Sequence, residues 1–181
     1  MIYGEKVYLR AIEIEDLEQL RLWRNNPDFR KYFREYLDIS PEMQNNWFKL
    51  VANNDKNTIM FAIVDRLTDK LVGCCGLCYI NWVHRHADLS VYIGAGDVYI
   101  DVNGYADDAC LVLLEYGFSQ INLNKIWTEI YEFDQRKIDL YDRLNFQVDG
   151  RLRENYYFEG KWWQSIILSK LASEHLEERR K

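Results

Sequence analysis

The chain has 181 residues, 48% of them hydrophobic and 15% aromatic, enough for one domain with a sizeable core. A formal net charge of −6 argues against nucleic-acid binding through a general basic face and is compatible with a cationic partner such as an amine. No apolar run approaches the ~20 residues of a membrane helix, and Met1–Ala11 lacks the basic-then-apolar pattern of a secretion signal, so no membrane is expected and the cytoplasm is the default location.

Lys6–Ala11 reads as an edge strand. Ile14, Leu17, Leu20 and Trp23 recur at near-helical spacing, and Asn25-Asn26-Pro27 stops that helix. Ser40-Pro41 looks like a cap followed by proline at the first position of a helix carrying Trp47, Phe48 and Val51. Thr58–Asp65 and Leu71–Ile80 are apolar runs around a short turn at Leu67–Lys70, the mark of a hairpin, and His86–Ile93 follows as a further strand. Ala106, Ala109, Cys110, Leu113 and Gly117 share a helical face, with small residues at its start that permit close approach to a sheet or a ligand. Lys125–Tyr131 is the next strand, and Ile138, Tyr141 and Leu144 mark one face of the last internal helix. Gln147–Phe158 and Lys161–Leu171 form a closing hairpin around Glu159-Gly160. This order implies one α/β domain over residues 1–172 with a sheet of mixed direction, followed by a charged tail, 173–181, that is frayed or helical.

Cys74, Cys75 and Cys78 could suggest a metal site. Adjacent Cys74 and Cys75 point to opposite faces of a strand, and no histidine pair follows at a zinc-finger spacing, so buried free thiols are expected and no metal. The most informative stretch is Asp101–Phe146. A loop ending in Gly104 can present backbone N–H groups at a helix start, where an anionic phosphate is favoured. Tyr141 follows within reach of a ligand bound there.

Several segments resemble the GCN5-related N-acetyltransferase family, in the branch of ribosomal-protein alanine and spermidine acetyltransferases. They are LRAIEIEDLEQLRLWRNNPDFRKYF at the start, LVGCCGLCYINWVHRHADLSVYIG in the centre, NLNKI at Asn122–Ile126 and LYDRLNF at Leu140–Phe146. Each piece is weak alone; their order and spacing over nearly the whole chain are not. The resemblance implies a single-domain, mixed, mostly antiparallel sheet splayed between the fourth and fifth strands and flanked by helices, with acetyl-CoA as co-substrate and its diphosphate on the loop Asp101–Ala106. It further implies Tyr141 as the acid that protonates the departing thiolate, Asp88 or Glu129 as the base, and Val91 and Tyr92 as amide donors to the oxyanion. Val91, Tyr92, Ile93, Asn103, Gly104, Tyr105, Ala106, Asp134 and Lys137 would line the cofactor. His84 and His86 are further candidates for the base. The acceptor would be a primary amine, either a small molecule such as a polyamine or an amino sugar or a protein N-terminus, covered by segments bearing Glu13, Glu15, Asp16, Glu35 and Asp38. Exposed aromatics near Tyr156, Tyr157, Trp162 and Trp163 leave room for a homodimer.

The chain also departs from the family pattern. Asp101 stands where Arg or Gln is usual, Val102 where glycine is common, Asp107 where Ser or Thr is frequent, Asp134 for Asn, and Asn145 for the glycine before Phe146. A helix end favours an exposed anion by only ~0.3–1 kcal/mol, which two nearby carboxylates could cancel. The alternative expectation is therefore a binding module that keeps the fold with weakened or lost CoA affinity.

Overall fold

The computed structural model of the chain describes residues 1–52 and 56–179. Eight strands form one sheet in the order β1-β2-β3-β4-β5-β6-β8-β7. In chain order the elements are β1 (Ile2–Tyr3), β2 (Val7–Arg10), α1 (Leu17–Asn25), α2 (Pro27–Arg30), α3 (Pro41–Ala52), β3 (Ile59–Asp65), β4 (Leu71–Asn81), β5 (His86–Ile93), α4 (Tyr105–Glu115), β6 (Lys125–Tyr131), α5 (Gln135–Arg143), β7 (Gln147–Phe158), β8 (Lys161–Leu171) and α6 (Ala172–Glu178). Every neighbouring pair is antiparallel except β5 and β6.

β5 and β6, the fourth and fifth strands of the sequence reading, pair only at His86↔Lys125, Ala87↔Ile126 and Asp88↔Trp127. Beyond that point Leu89–Ile93 stays with β4 while β6 continues along β8, so the two strands part. The opening lies at the carboxyl ends of two parallel strands, where the following loops can reach a ligand.

The sheet is covered on both faces. Ala106, Ala109, Cys110 and Leu113 are fully buried where α4 packs on β2, β4 and β5. Cys75 turns toward Cys110 on this side, whereas Cys74 turns toward Arg24 of α1 on the other. All four cysteines are free, and burial pushes the Cys74, Cys78 and Cys110 thiols up to about 12. Among the described residues no group of His, Cys, Asp or Glu could hold a metal ion.

Two local readings are corrected and a third is extended. β2 is not the edge, because Ile2–Tyr3 folds back as β1 outside it. The Asp108 carboxylate on α4 holds that turn by accepting from the N–H groups of Glu5 (3.0 Å), Lys6 (2.7 Å) and Val7 (2.9 Å). Ile14 lies in a 3-10 turn ahead of α1 and is 69% exposed, so the buried face of that helix is Leu17, Leu20 and Trp23. Pro27 ends α1 and also starts α2, a single turn capped by the Asn26 side chain accepting from Asp28 N. The tail is helical: α6 docks through buried His175, whose Nε2 is 3.0 Å from Glu115 Oε2, and through Glu178, which accepts from buried Lys170 at 2.5 Å.

Candidate active site

Where β5 leaves β6, its backbone faces an opening rather than a partner strand. Leu89 O accepts from the Thr128 hydroxyl (3.2 Å) and Ile93 N donates to Tyr99 O (2.9 Å), both on the side away from β4. Strand alternation turns the Val91 N–H to that same side and the Tyr92 N–H toward β4. Of the two amides expected to serve an oxyanion, only that of Val91 borders the opening.

Three buried oxygens around this opening have no hydrogen-bond partner: Tyr141 Oη, Tyr99 Oη and Asp88 Oδ1. Tyr141 is fully buried on α5, Tyr99 is 2% exposed and Asp88 is 4% exposed. Leaving such a group unmet costs ~1–3 kcal/mol. Three in one place therefore mark where a ligand would supply partners, and the residues fit an acyl carrier reaching in between the strands. Burial pushes the Tyr141 and Tyr99 hydroxyls well above their ordinary range, so both hold their protons. Asp134 is buried at the start of α5 and caps it by accepting from Lys137 N (3.1 Å). Burial lowers the pKa of the Lys137 ammonium, which lies 5.3 Å over the Tyr99 ring and is opposed by the negative charges of Asp134 and Asp88.

The two candidate bases meet one cation. Asp88 Oδ2 accepts from Arg34 Nη1 at 2.8 Å, and Glu129 Oε2 lies 3.6 Å from Arg34 Nη2. Asn155 Nδ2 donates to Glu129 Oε1 (2.9 Å). Burial raises the Asp88 pKa, and Arg34 works against that rise. His86 shares the Asp88 face of β5 by alternation, with Nδ1 buried and unpartnered, whereas His84 is exposed. Of the acids expected to cover an acceptor, Asp16 is tied to Arg10, Glu35 to Arg24 and Asp38 to Arg30; Glu13 and Glu15 stay exposed.

At the start of α4, Gly104 adopts φ +86°, the left-handed region in which glycine is unstrained. The Asp101 carboxylate, 6% exposed, accepts from Tyr105 N (2.9 Å) and Ala106 N (2.8 Å). Two of the four amides expected to grip a diphosphate, those of Tyr105 and Ala106, thus hold an internal anion in this structure. Only Asn103 and Gly104 are left untouched by this carboxylate. The other loop acids are neutralised locally: Asp107 pairs with Arg143 (2.7 and 3.0 Å), and Asp108 sits among the three amides of the β1–β2 turn. A cleft of about 1030 Å³ opens beside this loop, between the β1–β2 turn, α4 and α5, and Lys6, Arg136 and Arg143 border it.

Sequence reasoning missed Arg34, Tyr99 and Thr128. Arg34 stands next to Glu35 in the segment expected to cover an acceptor, but its partners are 54 and more residues away and no periodicity links them.

Residues 6–147 match the family model described as an acetyltransferase (GNAT) domain. The uncharacterized N-acetyltransferase p20 of Bacillus licheniformis is 26% identical over 176 residues, covering 96% of this chain and 97% of that protein. Spermidine N(1)-acetyltransferase of Escherichia coli strain K12 is 26% identical, covering 97% of this chain and 91% of its own length. Spermidine N-acetyltransferase from Vibrio cholerae, solved in complex with CoA and spermine, superposes with a TM-score of 0.84 over 94% of this chain and 98% of that one at 24% identity, which shows a shared fold.

Proposed function

Because the chain belongs to the GNAT acetyltransferase family, we propose that it transfers the acetyl group of acetyl-CoA to the primary amine of a cationic acceptor, with a polyamine as the first candidate. The observation that carries this reading is the pair of buried, unpartnered oxygens, Asp88 Oδ1 and Tyr141 Oη, around the parting of β5 and β6. Similarity to proteins named spermidine acetyltransferases supports the choice of acceptor class.

Acetyl-CoA supplies the acetyl group as an activated thioester. Asp88 takes the proton that an incoming ammonium must lose before its nitrogen can attack, a role suited to a carboxylate whose pKa burial has raised above the ordinary carboxylate value. The Val91 N–H is the donor for a developing oxyanion. Tyr141, kept protonated by burial, gives its proton to the departing sulfur. Glu129 and Arg34 set the charge around Asp88. Lys6 and Arg136, with the amides of Asn103 and Gly104, would hold the diphosphate, while Ile93, Asp134 and Lys137 would border the carrier arm.

Asp101 motivates a second reading: its hold on the Tyr105 and Ala106 amides favours a module that keeps the fold and binds CoA weakly. Thiol release separates the two. Transfer is expected to release thiol from acetyl-CoA with at least one acceptor among polyamines, amino sugars and N-terminal peptides. A chain that binds acetyl-CoA and releases no thiol with any of them contradicts it. Four free cysteines support a reducing, cytoplasmic setting. Tyr157 and Trp162, 58% and 57% exposed with ring centres 5.1 Å apart, give the β7–β8 hairpin a surface that a second copy could cover.

A further inference from the structure

The carboxylates at the parting strands hold Arg34 within a larger enclosure. Its guanidinium carbon lies 5.7 Å from the ring centre of Tyr79 and 6.0 Å from that of Trp127, within cation–π range. Tyr79 comes from β4, Asp88 from β5, and Trp127 and Glu129 from β6, so three adjacent strands contribute walls around one cation. Tyr79 stands at φ +51°, where β4 and β5 lose register between Cys78 and Asn81. That backbone is strained for a tyrosine, and such strain concentrates at ligand clamps. Asp88 is 4% exposed and still has an oxygen without a partner, so the enclosure has recognition capacity that Arg34 does not use. The walls belong to the sheet, whereas the occupant hangs from the loop after α2, with its side chain 38% exposed.

We propose that the cage of Asp88, Glu129, Tyr79 and Trp127 is the subsite for the acceptor's cationic nitrogen, and that Arg34 fills it in the free protein as a tethered competitor the acceptor must displace. The word acceptor rests on the transferase reading; the cage rests on its geometry. Asp88 cannot readily be left charged, buried and alone, so only a ligand that brings positive charge can take the place of Arg34. A neutral amine is thereby excluded and a protonated one admitted. The exchange also changes the chemistry available to Asp88. A guanidinium remains charged at any working pH. A primary ammonium can instead pass one proton to Asp88, breaking its N–H bond, forming an O–H bond on the carboxylate and leaving the electron pair on nitrogen for attack. Arg34 on this view determines specificity: it sets the threshold that an acceptor's charge must overcome.

The test is a titration of ethylguanidinium and of spermidine, without acetyl-CoA, into the wild-type chain and into Arg34→Ala and Arg34→Gln, followed by heat and by melting temperature. A competitor that closes a site nine-tenths of the time costs about tenfold in apparent affinity. Both cations are therefore expected to bind the Arg34 variants about tenfold more tightly than wild type. Adding Asp88→Asn and Glu129→Gln should abolish that gain. Equal or weaker binding to whichever Arg34 variants fold would overturn the proposal, as would a gain that survives loss of the cage carboxylates. If Arg34 instead received an anionic group of the acceptor, its removal would weaken spermidine binding or leave it unchanged. Acetyl-CoA is absent throughout, so a chain that fails to use acetyl-CoA still reports on the cage, and an empty cage leaves the transferase reading to be judged by thiol release.

Discussion

Tyr141, kept protonated by burial, and Asp88, paired with Arg34, face the same opening. Tyr141 Oη makes no hydrogen bond in its buried position, so Tyr141→Phe removes an unmet polar group while keeping the ring that packs 4.9 Å from Phe146. That substitution should be neutral or slightly stabilising. It should lower kcat by about 10²-fold or more and leave acetyl-CoA affinity unchanged, as expected for a proton donor acting only in the transition state. Steady-state kinetics with calorimetry and a melting curve check this; an unchanged kcat would remove Tyr141 from the chemistry. Asp88 gives a pH signature. Burial raises its pKa above the ordinary 3.8, Arg34 and Lys137 oppose the rise, and Glu129 adds to it. Between the ordinary value and the raised one, the folded chain keeps a proton that the unfolded chain has released, so this group makes stability fall as pH rises through that window. The proposed base is the ionised form, so activity should instead fall as pH drops through the same window. Melting temperature and kcat/KM measured against pH should therefore slope in opposite directions there, and Asp88→Asn should flatten the stability slope; parallel slopes would show that another group controls the acid limb.

The decisive element is the start of α4. Asp101 caps it across a tight turn, with its two oxygens on consecutive amides. Losing such a cap costs ~1 kcal/mol and up to ~2, or about 2–4 °C in melting temperature per kcal/mol for a chain of this size. Asp101→Ala should pay that stability and, by freeing the Tyr105 and Ala106 amides, bind CoA more tightly; calorimetry showing weaker binding would mean that Asp101 orders the loop for the cofactor rather than competing with it. The sequence located this loop but set the aspartate down as a repulsive charge, because its donors are four and five residues away across a glycine turn rather than at a regular capping offset. Helices and strands with several turns or pleats were legible from their periodicity, including α4, α5 and the β7–β8 hairpin. β1 and α2 were not: two residues and a single turn carry no period, and the turn that folds β1 back is held by Asp108 from more than a hundred positions away.

Across the whole molecule, the proposed function depends on the parting of β5 and β6 within one sheet. No local pattern predicts that β5 and β6 part after three paired positions; only the resemblance to a family carried that expectation. Nor could charge composition show where the charges go. The net charge of −6 was compatible with a cationic partner, yet Asp16, Glu35 and Asp38 are paired with arginines, while Asp88 and Glu129 converge from separate strands onto Arg34. That convergence is a property of the register of the sheet, where Asp88 opposes Trp127 and Glu129 follows two residues later on the same face. The break places Asp88 and Tyr141 around one opening, the two residues to which the proposed acetyl transfer gives the roles of base and acid. The most direct check is calorimetric titration of acetyl-CoA into the intact chain, followed by addition of spermidine with thiol release recorded. Saturable binding, then one thiol released per N-acetylated amine and loss of that release in Tyr141→Phe, is the expected result. No heat and no thermal shift at millimolar acetyl-CoA would contradict it.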